Sequence, residues 1–183
     1  MNIATHNSAT GEKGGGLLSF LVAPFSKCQS KTLIEQYLNG CRYFDFRVKK
    51  FKRHNGQFYF AHGLWRTKRT FQQIADEFYN FVKRQDDKVY VMLTYEGDCT
   101  LWEMQCIADT FKEFYPENFM LTSVNIKKPC WRTCAVHNNI SSVNCYKVLD
   151  GRSWHTLIPI PWLWAKLYLP KFKQYTYNFI DFL

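Results

Sequence analysis

The stretch Arg42-Tyr43-Phe44-Asp45-Phe46-Arg47-Val48 sets an acid and a guanidinium two residues apart inside an otherwise apolar run. Aromatic and β-branched residues at this density favour a strand. Successive strand side chains alternate faces, so Tyr43, Asp45 and Arg47 share one face and Phe44, Phe46 and Val48 the other. The second face suits a hydrophobic core. The first places charges where burial is costly unless they pair. An edge strand with one solvated face would read the same way. The next strand-like run, Phe58-Tyr59-Phe60-Ala61-His62-Gly63, argues against that, because it ends in a histidine with Phe58 and Phe60 on its own face. Two neighbouring strands thus aim Asp, Arg and His toward one end.

Working outward, strand-like runs recur at 2–5, 42–51, 57–61, 89–95, 119–124, 143–149 and 175–182, each rich in Val, Ile, Tyr, Phe or Thr. Helical spacing lies between several of them. Phe71, Ile74, Phe78 and Phe81 form one face of a helix over 71–82, opened by the capping box Thr70-x-x-Gln73. Thr100-x-x-Glu103 opens another, carrying Leu101, Cys106, Phe111 and Phe114. A third spans 30–39 and stops at Gly40. Alternating strands and helices indicate an α/β class. The exception is Arg53-His54-Asn55-Gly56-Gln57, a hairpin turn.

The length of 183 residues suits a single domain, 1–183, with a real core. Aromatics make up 18% of the chain, which means either an aromatic core or aromatic residues at a lipid or ligand surface. The formal net charge of +9, clustered at 47–53 and 66–69, favours an anionic partner. No nucleic-acid motif accompanies it, so nucleic acid is set aside. The longest apolar run, 17–25, is too short for a transmembrane helix and contains Pro24. No basic region followed by a long apolar stretch marks a signal peptide, so either a cytoplasmic protein or a domain cut from something longer is expected. Seven cysteines without framework spacing are expected to be reduced thiols. Cys130, Cys134 and His137, with Cys145, offer zinc ligands without paired knuckles, and ordinary cysteines are the simpler reading. Further on, Ile160-Pro161-Trp162-Leu163-Trp164-Ala165-Lys166-Leu167-Tyr168-Leu169-Pro170 has the composition of a membrane-interface segment or of a short core helix.

His6 completes the constellation, because it follows the first short strand, where α/β enzymes place their sites. The run Ala4-Thr5-His6-Asn7-Ser8-Ala9-Thr10, then Cys28-Gln29, then Gly40 to Val48, then Ala61-His62-Gly63, resembles the X domain of phosphatidylinositol-specific phospholipase C in order and spacing from residue 2 to about 97. Tyr177-Asn178-Phe179-Ile180-Asp181-Phe182 resembles the family's closing strand with its acidic residue. The resemblance implies a compact, distorted or incomplete TIM-like barrel, in an unusually short version.

It also implies roles. His6 would be the general base on the inositol 2-hydroxyl, with Asp181 orienting it. His62 would protonate the diacylglycerol oxygen. Arg47 would bind the phosphate, and Asp45 would hold Arg47, His62 or both. Calcium-dependent eukaryotic members carry an acid where Arg47 stands and metal-independent bacterial members an arginine, so neither metal nor cofactor is expected. Asn7 makes the site a hybrid, because bacterial members have aspartate there and eukaryotic ones an asparagine that binds calcium. Glu96 lies one residue out of register with another family metal position. With Asn7 in place of a carboxylate, His62 lacks its usual partner, and reduced turnover is expected. Asn7, Tyr95 and Arg152 are the substrate-binding candidates, and Trp162 and Trp164 the membrane contacts. The expected partners are a phospholipid substrate and an anionic membrane surface, met peripherally by a monomer. The rival enzyme class, a metal-dependent glycerophosphodiester phosphodiesterase-like barrel, conflicts with Arg47. A degenerate X domain that binds anionic membrane without turnover is the alternative of another class.

Overall fold

The alternating run becomes the long central strand of a sheet. In the computed structural model, residues 3–5, 7–97, 100–115, 119–127, 133–138, 145–147 and 177–180 are described. Strand β2 (Cys41–Phe51) pairs in parallel with β1 (Ile3–Thr5) and with β5 (Val89–Glu96). Strand β5 continues to β6 (Phe119–Lys127), and β1 continues to β9 (Tyr177–Ile180) and then β8 (Cys145–Lys147), all in parallel. Antiparallel β7 (Thr133–Asn138) borders β6, giving the order β7-β6-β5-β2-β1-β9-β8. Among the described residues no pairing joins β7 to β8, so the sheet is open there.

Beyond the end of β1, β3 (Gln57–His62) takes over the later stretch of β2 as a hairpin, with Val48 opposite Phe60 and Phe51 opposite Gln57, and β4 (Trp65–Arg66) pairs with β3. The turn uses left-handed Asn55 (φ 53°) and Gly56 (φ 68°), residues that accept that conformation cheaply.

Three helices cover one face of the sheet: α2 (Leu33–Leu38), α3 (Phe71–Val82) and α4 (Leu101–Phe114). Thr32, Thr70 and Thr100 each close a reciprocal capping box with Glu35, Gln73 and Glu103. The first of these starts α2 three residues later than the pattern over 30–39 suggests. Phe71, Ile74, Ala75, Phe78 and Val82 of α3 meet Phe44, Phe46 and Val48 of β2 in one cluster with Val91, Leu93, Phe60 and Phe111. Ring centroids are 4.9 Å apart for Phe44–Phe78 and 5.0 Å for Phe46–Phe60, both edge-on, the arrangement aromatic quadrupoles favour. Among the described residues, most of the aromatic surplus therefore serves the core.

Helix α1 (Gly16–Ser26) obeys different rules. Only Ser19 and Ser26 are buried, while Leu17 (73% exposed), Leu18, Phe20 (76%), Leu21 and Phe25 face outward. It is fastened to β4 by Ser19, whose hydroxyl donates to the Arg66 carbonyl and accepts the Arg66 N–H, both at 3.1 Å.

Candidate active site

The other face of β2 carries a buried ion network. Asp45 is fully buried, and the Arg47 guanidinium reaches it through Nε at 3.0 Å. The same guanidinium donates from Nη1 to Oε1 of Glu96, the last residue of β5, at 3.2 Å. Burial alone would lower the pKa of Arg47, but the Asp45 and Glu96 carboxylates outweigh it and raise it, so the charge is fixed. A guanidinium held by carboxylates on two strands has a fixed plane and direction.

These charges belong to a closed circuit of contacts. Asn7, left-handed at φ 47°, donates its backbone N–H to Asp45 Oδ2 at 3.2 Å and its side-chain amide to Cys28 Sγ at 3.1 Å. The Cys28 thiol reaches the Ser26 carbonyl at 3.8 Å, and that carbonyl lies 2.7 Å from His62 Nδ1. One residue on, the Gly63 N–H donates to Glu96 Oε2 at 2.7 Å and returns the circuit to Arg47. A second tier supports it. Ser8 Oγ accepts the Asp45 N–H at 2.8 Å, and Thr10 Oγ1 accepts the N–H groups of Cys28 and Gln29.

A carbonyl only accepts, so Nδ1 of His62 carries the hydrogen in this contact. The carbonyl belongs to Ser26, the last residue of α1, whose C-terminal end carries partial negative charge. His62 is half-buried, open enough to meet a ligand. The fully buried Cys41 thiol nearby is pushed up to about 11 by burial, which leaves it protonated at neutral pH.

Asp45, Arg47, His62 and Asn7 are brought together as the sequence suggests, and Asp45 holds Arg47. The Nδ1 partner of His62 is a helix-end carbonyl, which the sequence reading did not foresee. Tyr95 is a correction. It lies opposite Val48 in register, on the helix-facing side with Val91 and Leu93, and is buried in the core against Phe58. Alternation along β5 explains this, since Tyr95 and Glu96 must face opposite ways. Glu96, considered earlier only beside a metal position, is the residue that reaches Arg47. His6, Asp181, Arg152, Trp162, Trp164 and Cys130 lie outside the described residues, whereas Cys134 and His137 belong to β7. Among the described residues no group of three or more His, Cys, Asp or Glu is arranged to hold a metal ion.

The family model for the phosphatidylinositol-specific phospholipase C X domain matches residues 19–137, well over half of the chain. The chain belongs to this family. The matched span of the X domain contains Asp45, Arg47, His62 and Glu96, whereas His6 and Asn7 precede it. Membership defines a phospholipase C-like phosphodiesterase. The fold is similar to that of a double mutant of phosphatidylinositol-specific phospholipase C from S. aureus, at 12% identity and a TM-score of 0.62 over 100% of this chain and 85% of that one. It is also similar to another mutant of the Staphylococcus aureus enzyme, at 11% identity and a TM-score of 0.61 over 100% of this chain and 86% of that one. At such identity the likeness shows the architecture alone, a TIM-like barrel left incomplete between β7 and β8. No curated protein matches the chain by sequence.

Proposed function

We propose that the chain is a metal-independent phosphodiesterase that cleaves phosphatidylinositol-type lipids to diacylglycerol and a cyclic inositol phosphate. His6 takes the proton of the inositol 2-hydroxyl, and the oxygen attacks phosphorus in line to form the ring P–O bond. The bond to the diacylglycerol oxygen breaks, and His62 Nε2 gives that oxygen its proton. Arg47 stabilises the charge that develops on the non-bridging oxygens. Asp181 orients His6. In support, the strands that His6 and Asp181 follow in sequence, β1 and β9, are paired neighbours with Thr5 opposite Ile180.

The observation that carries this reading is the circuit that binds Arg47 and His62 into one unit and orients His62 through Nδ1. Arg47 also stands between the two carboxylates best suited to a divalent ion, so a metal would have to displace a guanidinium already paired with both. Helix α1 supports peripheral action at a membrane. Its five exposed Leu and Phe side chains form an apolar surface fastened beside His62, and Lys13 and Lys27 flank it for anionic headgroups. No described helix is long and apolar enough to cross a membrane. Within this reading 1–183 acts as one domain, as a monomer at the cytoplasmic side, with Trp162, Trp164, Arg152 and Asn7 as further lipid contacts.

The test is release of cyclic inositol phosphate from phosphatidylinositol vesicles in EDTA. Turnover that requires added calcium refutes the metal-free mechanism. One observation favours a second reading, an X domain that binds anionic membrane without turnover. Residue 7 is an amide that donates to Cys28, and His62 Nδ1 meets the neutral carbonyl of Ser26. Vesicle binding that survives His6→Ala, with no turnover under any condition, selects this reading.

A further inference from the structure

Helices α3 and α4 cover the same face of the sheet, but they are not level. The start of α3 meets the end of α4. The rings of Phe71 and Phe111 are 6.4 Å apart, and Gln72 Nε2 donates to the Tyr115 hydroxyl at 3.1 Å, which donates in turn to Asp76 at 2.7 Å. The first turns of α4 therefore reach past the start of α3 and stand over the β2–β3 hairpin. Beneath them lies a cleft of about 320 Å³.

The floor of this cleft is Val48, Lys50 and Phe58, with Phe58 opposite Lys50 in register. Its roof includes the stripe Trp102, Cys106, Thr110 and Phe114, spaced four residues apart along one side of α4. At about 1.5 Å per residue the stripe runs roughly 18 Å. Trp102 (75% exposed) and Phe114 (58%) carry the apolar lining out to the surface at its two ends. One charge at the Trp102 end is left over. The neighbouring carboxylate, Glu103, is committed to the helix cap, where its Oε2 accepts the Thr100 N–H and hydroxyl, both at 3.0 Å. Lys50 forms no ion pair among the described residues, and its ammonium rests 5.9 Å from the Phe58 ring at the edge of the cleft.

A long apolar cleft with one cation at its end matches a straight hydrocarbon with an anionic head. Allowing about 30 Å³ for each water-sized group, the volume holds roughly ten methylenes, and every methylene taken from water adds to binding. We propose that the cleft between α4 and the β2–β3 hairpin binds a single medium-chain fatty-acid anion, with its hydrocarbon under α4 and its carboxylate at Lys50. Val48 and Lys50 alternate with Arg47, so this site lies on the opposite side of β2 from the ion network and is independent of the reading given for it.

The test is calorimetric titration of the full chain with decanoate, beside decanol, which lacks the charge. Wild type is expected to bind decanoate about tenfold more tightly than decanol, and Lys50→Gln to remove that margin while leaving decanol within about twofold. Cys106→Trp fills the middle of the roof and should weaken both ligands about tenfold or more. A further readout needs no substitution. Alkylation of the half-buried Cys106 thiol, followed by peptide mass, should slow about tenfold in saturating decanoate. Equal affinity of wild type for the two ligands, or no binding of either, overturns the proposal. So does an unchanged rate of Cys106 alkylation, or an equal loss of both ligands in Lys50→Gln. Binding that is kept in Cys106→Trp and lost in Leu17→Ser with Phe20→Ser puts the chain on α1 and overturns it as well. None of these readouts depends on lipid turnover.

Discussion

The two faces of β2 come from the same eleven residues and are held by different physics. On one face Phe44, Phe46 and Val48 lose contact with water against α3 and β3, and the gain grows with the apolar area buried. On the other, Asp45 and Arg47 are buried for an arrangement that works only when complete, because removing one partner leaves the others charged and unpaired. The first face is graded and tolerant of shape changes; the second is close to all-or-none. A single strand thereby supplies a core that absorbs substitution and a site that does not.

Arg47→Met tests the contrast hardest. It keeps side-chain length and removes the charge between Asp45 and Glu96. We expect a loss of about 3–5 kcal/mol in denaturant unfolding, and a fall in lipid turnover of roughly a thousandfold. A variant as stable as wild type would erase the distinction between the faces. Phe46→Ala is the counterpart. It should cost about 3–5 kcal/mol through the cavity left among Phe44, Phe60, Phe78 and Phe111. Turnover per folded molecule should nevertheless stay within a few-fold of wild type, and Phe46→Leu should recover much of the stability.

His62→Ala separates chemistry from folding within the charged face. Turnover should drop about 10²–10⁴-fold, while stability falls by only about 1 kcal/mol for the bond to the Ser26 carbonyl. The smallest effect on the fold is expected at α1. Leu17→Ser with Phe20→Ser should change unfolding by no more than about 0.5 kcal/mol, since both side chains are already in water. The same pair should weaken sedimentation with anionic vesicles by roughly a hundredfold or more if the two side chains enter lipid. Unchanged vesicle binding would remove α1 from the membrane surface.

The features legible in the sequence are those with a strict local period. Alternation along β2 puts Asp45 and Arg47 on one side and the phenylalanines on the other, and Thr70-x-x-Gln73 and Thr100-x-x-Glu103 mark helix starts to the residue. Helix α1 has no such mark, since it buries no apolar stripe and its Pro24 reads as a breaker, tolerated late in a helix whose outer side needs no partner. The Glu96–Arg47 pairing depends on the register of β5 against β2, which no local pattern states. Tyr95 is misplaced for the same reason, being one residue away on a strand whose faces alternate. The role of Ser26 was illegible in a different sense, because it acts through a backbone carbonyl that any residue would supply.

Strand β1 has a consequence for the order in which the protein is built. Its three residues sit between β2, which starts some forty positions away, and β9, which comes from nearly the other end of the described chain. Closing so long a loop adds little to the equilibrium cost but slows the encounter. During synthesis β2, its hairpin, α3 and β5 can pack while β9 is still unmade, and with them Asp45, Arg47, Glu96 and His62 find their places. The strand that leads into His6 gains its second neighbour only afterwards. In the mechanism proposed above, the cradle for the phosphate would then exist before the base that is to act on it, and the newborn chain would pass through a stage in which it could hold a substrate that it could not yet cut.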